Sequence, residues 1–275
     1  MTTSHATLRF ERDGSVGWLR LFRPDRLNAF TVEMWRELRE LGEELRDDPE
    51  LRALVVIGEG RAFSSGIDTS VFAGSLDDDL GAAADAGTRD DDPVIDSIMR
   101  TQDSFTWLEE APFATIAAVR GYALGAGLQL ALACDLRVIA EGTKVGLLEF
   151  KYGILPDLGG TQRLPRLIGP GKAKELIFTA TQIDADEAFR IGLVERVVPD
   201  DDLEPTVRDL AATIAAQPPL AVQGAKRAVN VAGTMPTREG LRVEAEGQAA
   251  CLRSDDMKEA IAAFVERRAP SYQRH

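Results

Sequence analysis

The run from Arg120 to Asp135, RGYALGAGLQLALACD, leads from an extended apolar segment through a glycine-rich turn into an apolar helix. No other stretch constrains the chain as much. Pro112–Val119 (PFATIAAV) is short, apolar and partly β-branched, which suits a buried strand, and Leu128–Cys134 contains no breaker, which suits a buried helix. Gly121, Gly125 and Gly127 lie between them, where they let the backbone turn and leave unpaired N–H groups at the helix start. Such an end attracts negative charge, so the stretch reads as the floor of an active site. A lone glycine-rich turn would be better explained by tight packing of a helix on a sheet; the other motifs shift that balance.

Upstream of the turn, Thr7–Glu11 and Val16–Leu21 alternate as strands about Asp13-Gly14, a hairpin signal. Thr31–Leu45 carries Val32, Met34, Trp35, Leu38, Leu41 and Leu45 near helical spacing, with Thr31 as N-cap, and Leu51–Ile57 returns as a strand. This rhythm predicts an α/β fold. Val71–Thr101, with its two aspartate triplets, reads as a mobile, solvated segment between helical patches.

Leu136–Ala140 and Leu193–Val198 read as strands, and Lys144–Leu148 as a short extended piece ending at Glu149. Gly169–Ala180 and Asp186–Ile191 read as helices, the second behind a capping box at Asp184–Glu187. Beyond Leu203 the pattern is helical, over 203–216, 220–231, 238–252 and 255–267. The expected division is therefore a core over 1–200 and a helical region over 201–275.

Composition excludes several functions. The 275 residues carry a formal charge of −13 spread along the chain, which opposes nucleic-acid binding. No run reaches membrane-spanning length and Met1–Phe10 has no apolar signal core, so a cytoplasmic protein without membrane insertion is expected. His5 and His275 are the only histidines, which disfavours a histidine triad or a zinc site. Cys134 and Cys251 read as buried helix thiols without metal spacing.

Four blocks stand in order: Arg23–Phe30 (RPDRLNAF), Arg61–Asp68 (RAFSSGID), Arg120–Asp135 and Gly159–Pro165 (GGTQRLP). Together they resemble the enoyl-CoA hydratase/isomerase (crotonase) superfamily from about Leu8 to Arg268. The resemblance implies an α/β, crotonase-like spiral of ββα units with a C-terminal helical trimerisation region, giving a homotrimer or a dimer of trimers. It also implies an acyl-CoA thioester substrate, a place in fatty acid metabolism, and no separate cofactor, since coenzyme A arrives as part of the substrate. The segment after Val71 corresponds to the border of the acyl pocket.

Taking a proton from beside a thioester carbonyl, or adding a nucleophile across a conjugated double bond, puts negative charge on the carbonyl oxygen. The family motifs place its donors on the backbone N–H groups of Ile67 and Ala126, the latter at a position usually held by glycine. Losing one such donor costs roughly 3 to 4 kcal/mol of barrier. Glu149 matches a catalytic glutamate, flanked by apolar residues that would raise its pKa. Gln129 stands where hydratases have a second glutamate, and an amide cannot accept the proton of a water. Asp157 stands where they have glycine and where dienoyl-CoA isomerases have aspartate; a turn aspartate folded onto the backbone after Pro156 is the plainer alternative.

These matches favour double-bond isomerisation with Glu149 as base, Glu149 or Asp157 returning the proton, and Gln129 orienting. The alternatives are a hydratase (a lyase) in which Gln129 or Asp157 replaces the missing acid, and an acyl-CoA binding protein with little turnover. The scaffold also supports other acyl-CoA chemistry. For coenzyme A the resemblance implies contacts from Arg26, Ala29, Ser65, Gly66, Asp68 and Gly127. It implies others from Phe264 and Arg267 to the ligand of a neighbouring subunit.

Overall fold

The expected hairpin opens the fold: β1 (Thr2–Ser4), β2 (Leu8–Asp13) and β3 (Val16–Leu21) pair antiparallel, with Asp13 opposite Val16 across the turn. A computed structural model of the chain describes residues 2–71 and 92–274. α1 (Val32–Arg46) follows, with the Thr31 side chain accepting from Met34 N, and buries Met34, Leu38, Leu41 and Leu45. β4 (Ala53–Gly58) then lies parallel to β3.

The next described helix, α2 (Pro93–Glu110), corrects the reading of Val71–Thr101 as a solvated segment over its last part. Asp92 caps it by accepting from Val94 N, and Pro93 occupies its first turn, where a missing N–H costs nothing. Phe105, Trp107 and Leu108 seat it on the core; a Cβ on Gly42 of α1 would stand 2.6 Å from the Trp107 indole. Residues 72–91, with Asp77, Asp78, Asp79, Asp90 and Asp91, lie outside the described residues.

β5 (Ala114–Val119) passes into β6 (Tyr122–Leu124) and α3 (Ala126–Ala133), and β7 (Leu136–Ala140) passes into β8 (Lys144–Gly146). α4 (Gly160–Ile168), α5 (Pro170–Thr179), β9 (Ile183–Asp184), α6 (Ala185–Arg190) and β10 (Arg196–Val198) complete this part. The large sheet has the order β1-β2-β3-β4-β5-β7-β10, parallel from β3 onward; the small one has the order β6-β8-β9. Ser64, after β4, bridges to Ala123 of β6. Successive turns thus give one segment to each sheet before a helix, which is the ββα spiral.

Period-two alternation divides the core. Leu54 and Val56 join the layer beneath α1, α2 and α3, whereas Ala53, Val55 and Ile57 face α7 (Leu203–Ala215) through its Leu203, Val207 and Ala211. α8 (Pro219–Asn230) and α9 (Thr237–Arg253) cross where Gly224 and Gly247 bring their backbones together. No residue of α9 is buried. α10 (Asp255–Glu266) is capped by Ser254, and its Asp256 receives the amides of Gln273 at 2.7 Å and Arg274 at 3.1 Å. Cys134 is buried just past the end of α3, and burial pushes its thiol up to about 12; Cys251, expected to be buried, is only half-buried. Among the described residues no helix is long and apolar enough to cross a membrane.

Candidate active site

The site forms where chain leaves the C-terminal ends of β4 and β5 for the small sheet. Asn28 fixes the approach: it is buried at positive φ, and its side chain accepts from Arg23 N and donates to the carbonyls of Glu59 and Ala62, all within 2.9 Å. Ser64 donates to Asn28 O and accepts from Gly66 N, joining this loop to the segment after β4.

Two glycines then meet. Gly66 has φ +105, and a Cβ there would lie 2.9 Å from the Leu124 carbonyl oxygen; Gly125 has φ +51, and its Cβ would lie 3.9 Å from Gly66 Cα. Only residues without a side chain allow this approach. It places the following residues, Ile67 and Ala126, on one cavity of about 60 Å³ together with Glu149. Among the described residues the Ile67 and Ala126 N–H groups have no acceptor. Ala126 also opens α3, so the helix dipole adds to its pull. Two free amides beside a buried carboxyl suit an oxygen that becomes negative during reaction.

Glu149 begins a short 3-10 turn after β8 and is 4% exposed. Its Oε1 accepts from Gln129 Nε2 at 2.7 Å, while Oε2 is buried and has no hydrogen-bond partner among the described residues. Burial pushes the carboxyl above the usual range; its own amide and the Gln129 side chain oppose that, the Asp157 charge adds to it, and the Leu148 amide opposes it. Asp157 is raised too, by burial, with its own amide opposing. Gln129, on α3, is wholly buried, and its Oε1 accepts from Leu158 N at 2.8 Å and Gly160 N at 2.9 Å.

The residues matched for coenzyme A divide. Ser65 and Gly66 line the cavity; Gly127 packs instead on Ser64, whose carbonyl oxygen would lie 2.6 Å from an added Cβ. Ala29 is buried with its carbonyl taken by Arg23, and Arg26 is exposed beside it. Asp68 pairs with Arg23 at 2.9 Å; the Ser70 amide and hydroxyl, then Arg23, hold its carboxyl down at about 2. Phe264 and Arg267 do not reach this site. Neither is among the cavity's lining residues, Phe264 is 84% exposed, and their helix leads into a tail whose Tyr272 carbonyl accepts from Arg52 and whose Arg274 donates to the Asp48 carbonyl, before β4.

Sequence reading does not single out Gln102, which donates to the Asp157 carbonyl at 2.6 Å, or Arg163, which donates to the Leu158 carbonyl at 3.0 Å. Neither has a local signal, since the bonds join residues 55 and 5 apart through backbone atoms. Tyr152 and Ile154 also line the cavity, and their partial exposure places them at its rim. A larger cavity of about 650 Å³ lies between α8 and the Cys134–Arg137 segment, with Arg163 on its wall, and shares no lining residue with the smaller one.

The sequence matches the family described as enoyl-CoA hydratase/isomerase over residues 11–275. It is 41% identical to a probable enoyl-CoA hydratase of Mycobacterium bovis over 271 residues, 98% of each chain. It is 33% identical to a mitochondrial Delta(3,5)-Delta(2,4)-dienoyl-CoA isomerase of Dictyostelium discoideum, covering 98% of this chain and 92% of that one. The crystal structure of an enoyl-CoA hydratase from Bacillus anthracis superposes with a TM-score of 0.87 at 33% identity, over 98% of this chain and 100% of that one. Fold, paired amides and sequence agree: the chain is a crotonase-fold enzyme of the enoyl-CoA hydratase/isomerase family.

Proposed function

We propose that this enzyme moves the double bond of an unsaturated acyl-CoA. The observation that carries the reading is the state of Gln129: both acceptor sites of its amide oxygen are taken by Leu158 N and Gly160 N, and its nitrogen donates to Glu149. It is enclosed and has no lone pair left for a water. Glu149 and Asp157 remain as the acid–base pair. Oε2 of Glu149 removes the proton at C2 of a 3-enoyl ester, the C2–H electron pair forms a C1–C2 double bond as the carbonyl pair moves onto its oxygen, and Ile67 and Ala126 N–H hold the resulting dienolate, in which C3–C4 is still double. Glu149 or Asp157 returns a proton at C4, leaving the double bond between C2 and C3.

The thioester lies across Ser65–Asp68, with Arg26 and Ala29 toward the coenzyme. Phe264 and Arg267 of a neighbouring subunit complete the coenzyme site in a homotrimer assembled through the 201–275 region. The bare faces of α9 and α10, which leave Leu241, Ile261, Phe264 and Val265 exposed, support that assembly.

Hydration is the second reading, favoured by the hydratase name of the 41% relative against the isomerase name at 33%. A 2-enoyl-CoA and a 3-enoyl-CoA, incubated separately with the protein in deuterated water and followed by mass spectrometry, separate the two. Deuterium uptake with a shifted double bond is expected; addition of water to the 2-enoyl ester would replace isomerisation with hydration.

A further inference from the structure

The amide of Gln129 has its orientation fixed by its surroundings. Leu158 N and Gly160 N can only donate, so the atom they share must be the carboxamide oxygen, and the atom facing Glu149 must be the NH2 group. That group can only donate in turn. Oε1 of Glu149 must then present a lone pair whether the carboxyl is charged or neutral; the carbonyl oxygen of a neutral carboxyl is its better acceptor, so a proton taken up by Glu149 is favoured on Oε2, which has no hydrogen-bond partner among the described residues. The bonds to Leu158 and Gly160 enclose the segment that begins at Asp157, whose carbonyl is held from the other side by Gln102 at 2.6 Å.

We infer that Gln129 is a positioning residue: one carboxamide assigns the reacting oxygen of Glu149 and anchors the segment that carries Asp157. The inference rests on the isomerase reading for its catalytic consequence, and on geometry alone for the assignment of the oxygen. Gln129 does not touch substrate; it acts through both carboxyls.

Two substitutions separate its duties. Gln129→Met keeps the volume and removes donor and acceptor together. Gln129→Glu keeps an acceptor for the two amides but replaces the donor with a second acid. Proton exchange at C2 of a 3-enoyl-CoA is measured against pH. The Glu149 carboxyl is titrated separately by isotope-edited infrared difference spectra, each protein against its Glu149→Gln counterpart. In Gln129→Met the exchange rate near neutral pH should fall about 100-fold, and the carboxyl midpoint should move to higher pH. In Gln129→Glu the midpoint should move higher again, because a like charge joins the site, while thermal stability stays nearer the parent. A Glu149 midpoint unchanged in both variants would overturn the inference, since a purely structural glutamine would lower rate and stability without moving it. If the parent exchanges no C2 proton at all, the isomerase reading fails, and the infrared titration still decides the role of Gln129.

Discussion

Gly125 rests against Glu149: a Cβ at position 125 would stand 3.2 Å from Oε1 of the glutamate. The turn that frees the Ala126 amide is therefore also a wall of the carboxyl site. Donor and base cannot be moved independently, because Gly125 lies between them and its amide is tied to Gly146 O at 2.8 Å, at the end of β8.

Gly125→Ala tests this coupling. A side chain at φ +51 and ψ −121 carries backbone strain of about 1–3 kcal/mol, and the new methyl presses on the base. The melting temperature should fall, and C2 exchange should fall by more than the loss of folded protein. Thermal unfolding and exchange at a temperature where the variant is fully folded measure the two effects.

Ala126→Pro removes one N–H from the proposed oxyanion site and little else, because proline is well accepted in the first turn of a helix and Ala126 opens α3. The expected result is a 100- to 1,000-fold lower rate, or roughly 3 to 4 kcal/mol of barrier, with the circular dichroism of the parent. A retained rate would mean that the substrate oxygen binds elsewhere.

Arg267→Ala and Glu149→Gln, mixed after separate purification and subunit exchange, test the proposed sharing of the coenzyme site between subunits. Arg267 is the C-cap of α10 and is not among the residues that line its own chain's cavity. Arg267→Ala alone should raise KM with little change in kcat. In mixed oligomers an active Glu149 served by an intact Arg267 from a Glu149→Gln neighbour should regain the parent KM. Equal KM values in pure and mixed Arg267→Ala samples would show that the arm serves no neighbour.

Much of this arrangement was legible in the order of residues. The hairpin at Asp13-Gly14, the Thr31 cap and the apolar Ala114–Val119 strand depend on neighbours in sequence, and the structure has each of them. Ile67 and Ala126 were legible only by family motif, because a free backbone N–H leaves no mark on residue type. α2 carried a local signal, Asp92 before Pro93, but the aspartate run around it resembled solvated chain. α4 was obscured by Gly159-Gly160 at its start and Pro165 inside it. The bonds of Gln129 to Leu158 and Gly160 span 29 and 31 residues and end on backbone atoms, so no spacing in the sequence announces them.

The pH dependence follows from Glu149. Its pKa in the folded chain is raised above the ordinary 4.5, so the folded state holds this proton more tightly than the unfolded state. Stability should decline as pH rises from about 4.5 through the raised value, then level off. Exchange needs the carboxylate, so its acid limb should lie above the usual carboxylate range. Glu149→Gln should remove this part of the stability profile.

The most direct measurement is the rate of C2 proton exchange in a bound acyl-CoA for the parent and for Glu149→Gln, with affinity for the same ester measured alongside. The account predicts a loss of about 100- to 10,000-fold in exchange with affinity nearly unchanged. Exchange at the parent rate in a folded, ester-binding Glu149→Gln variant would contradict it.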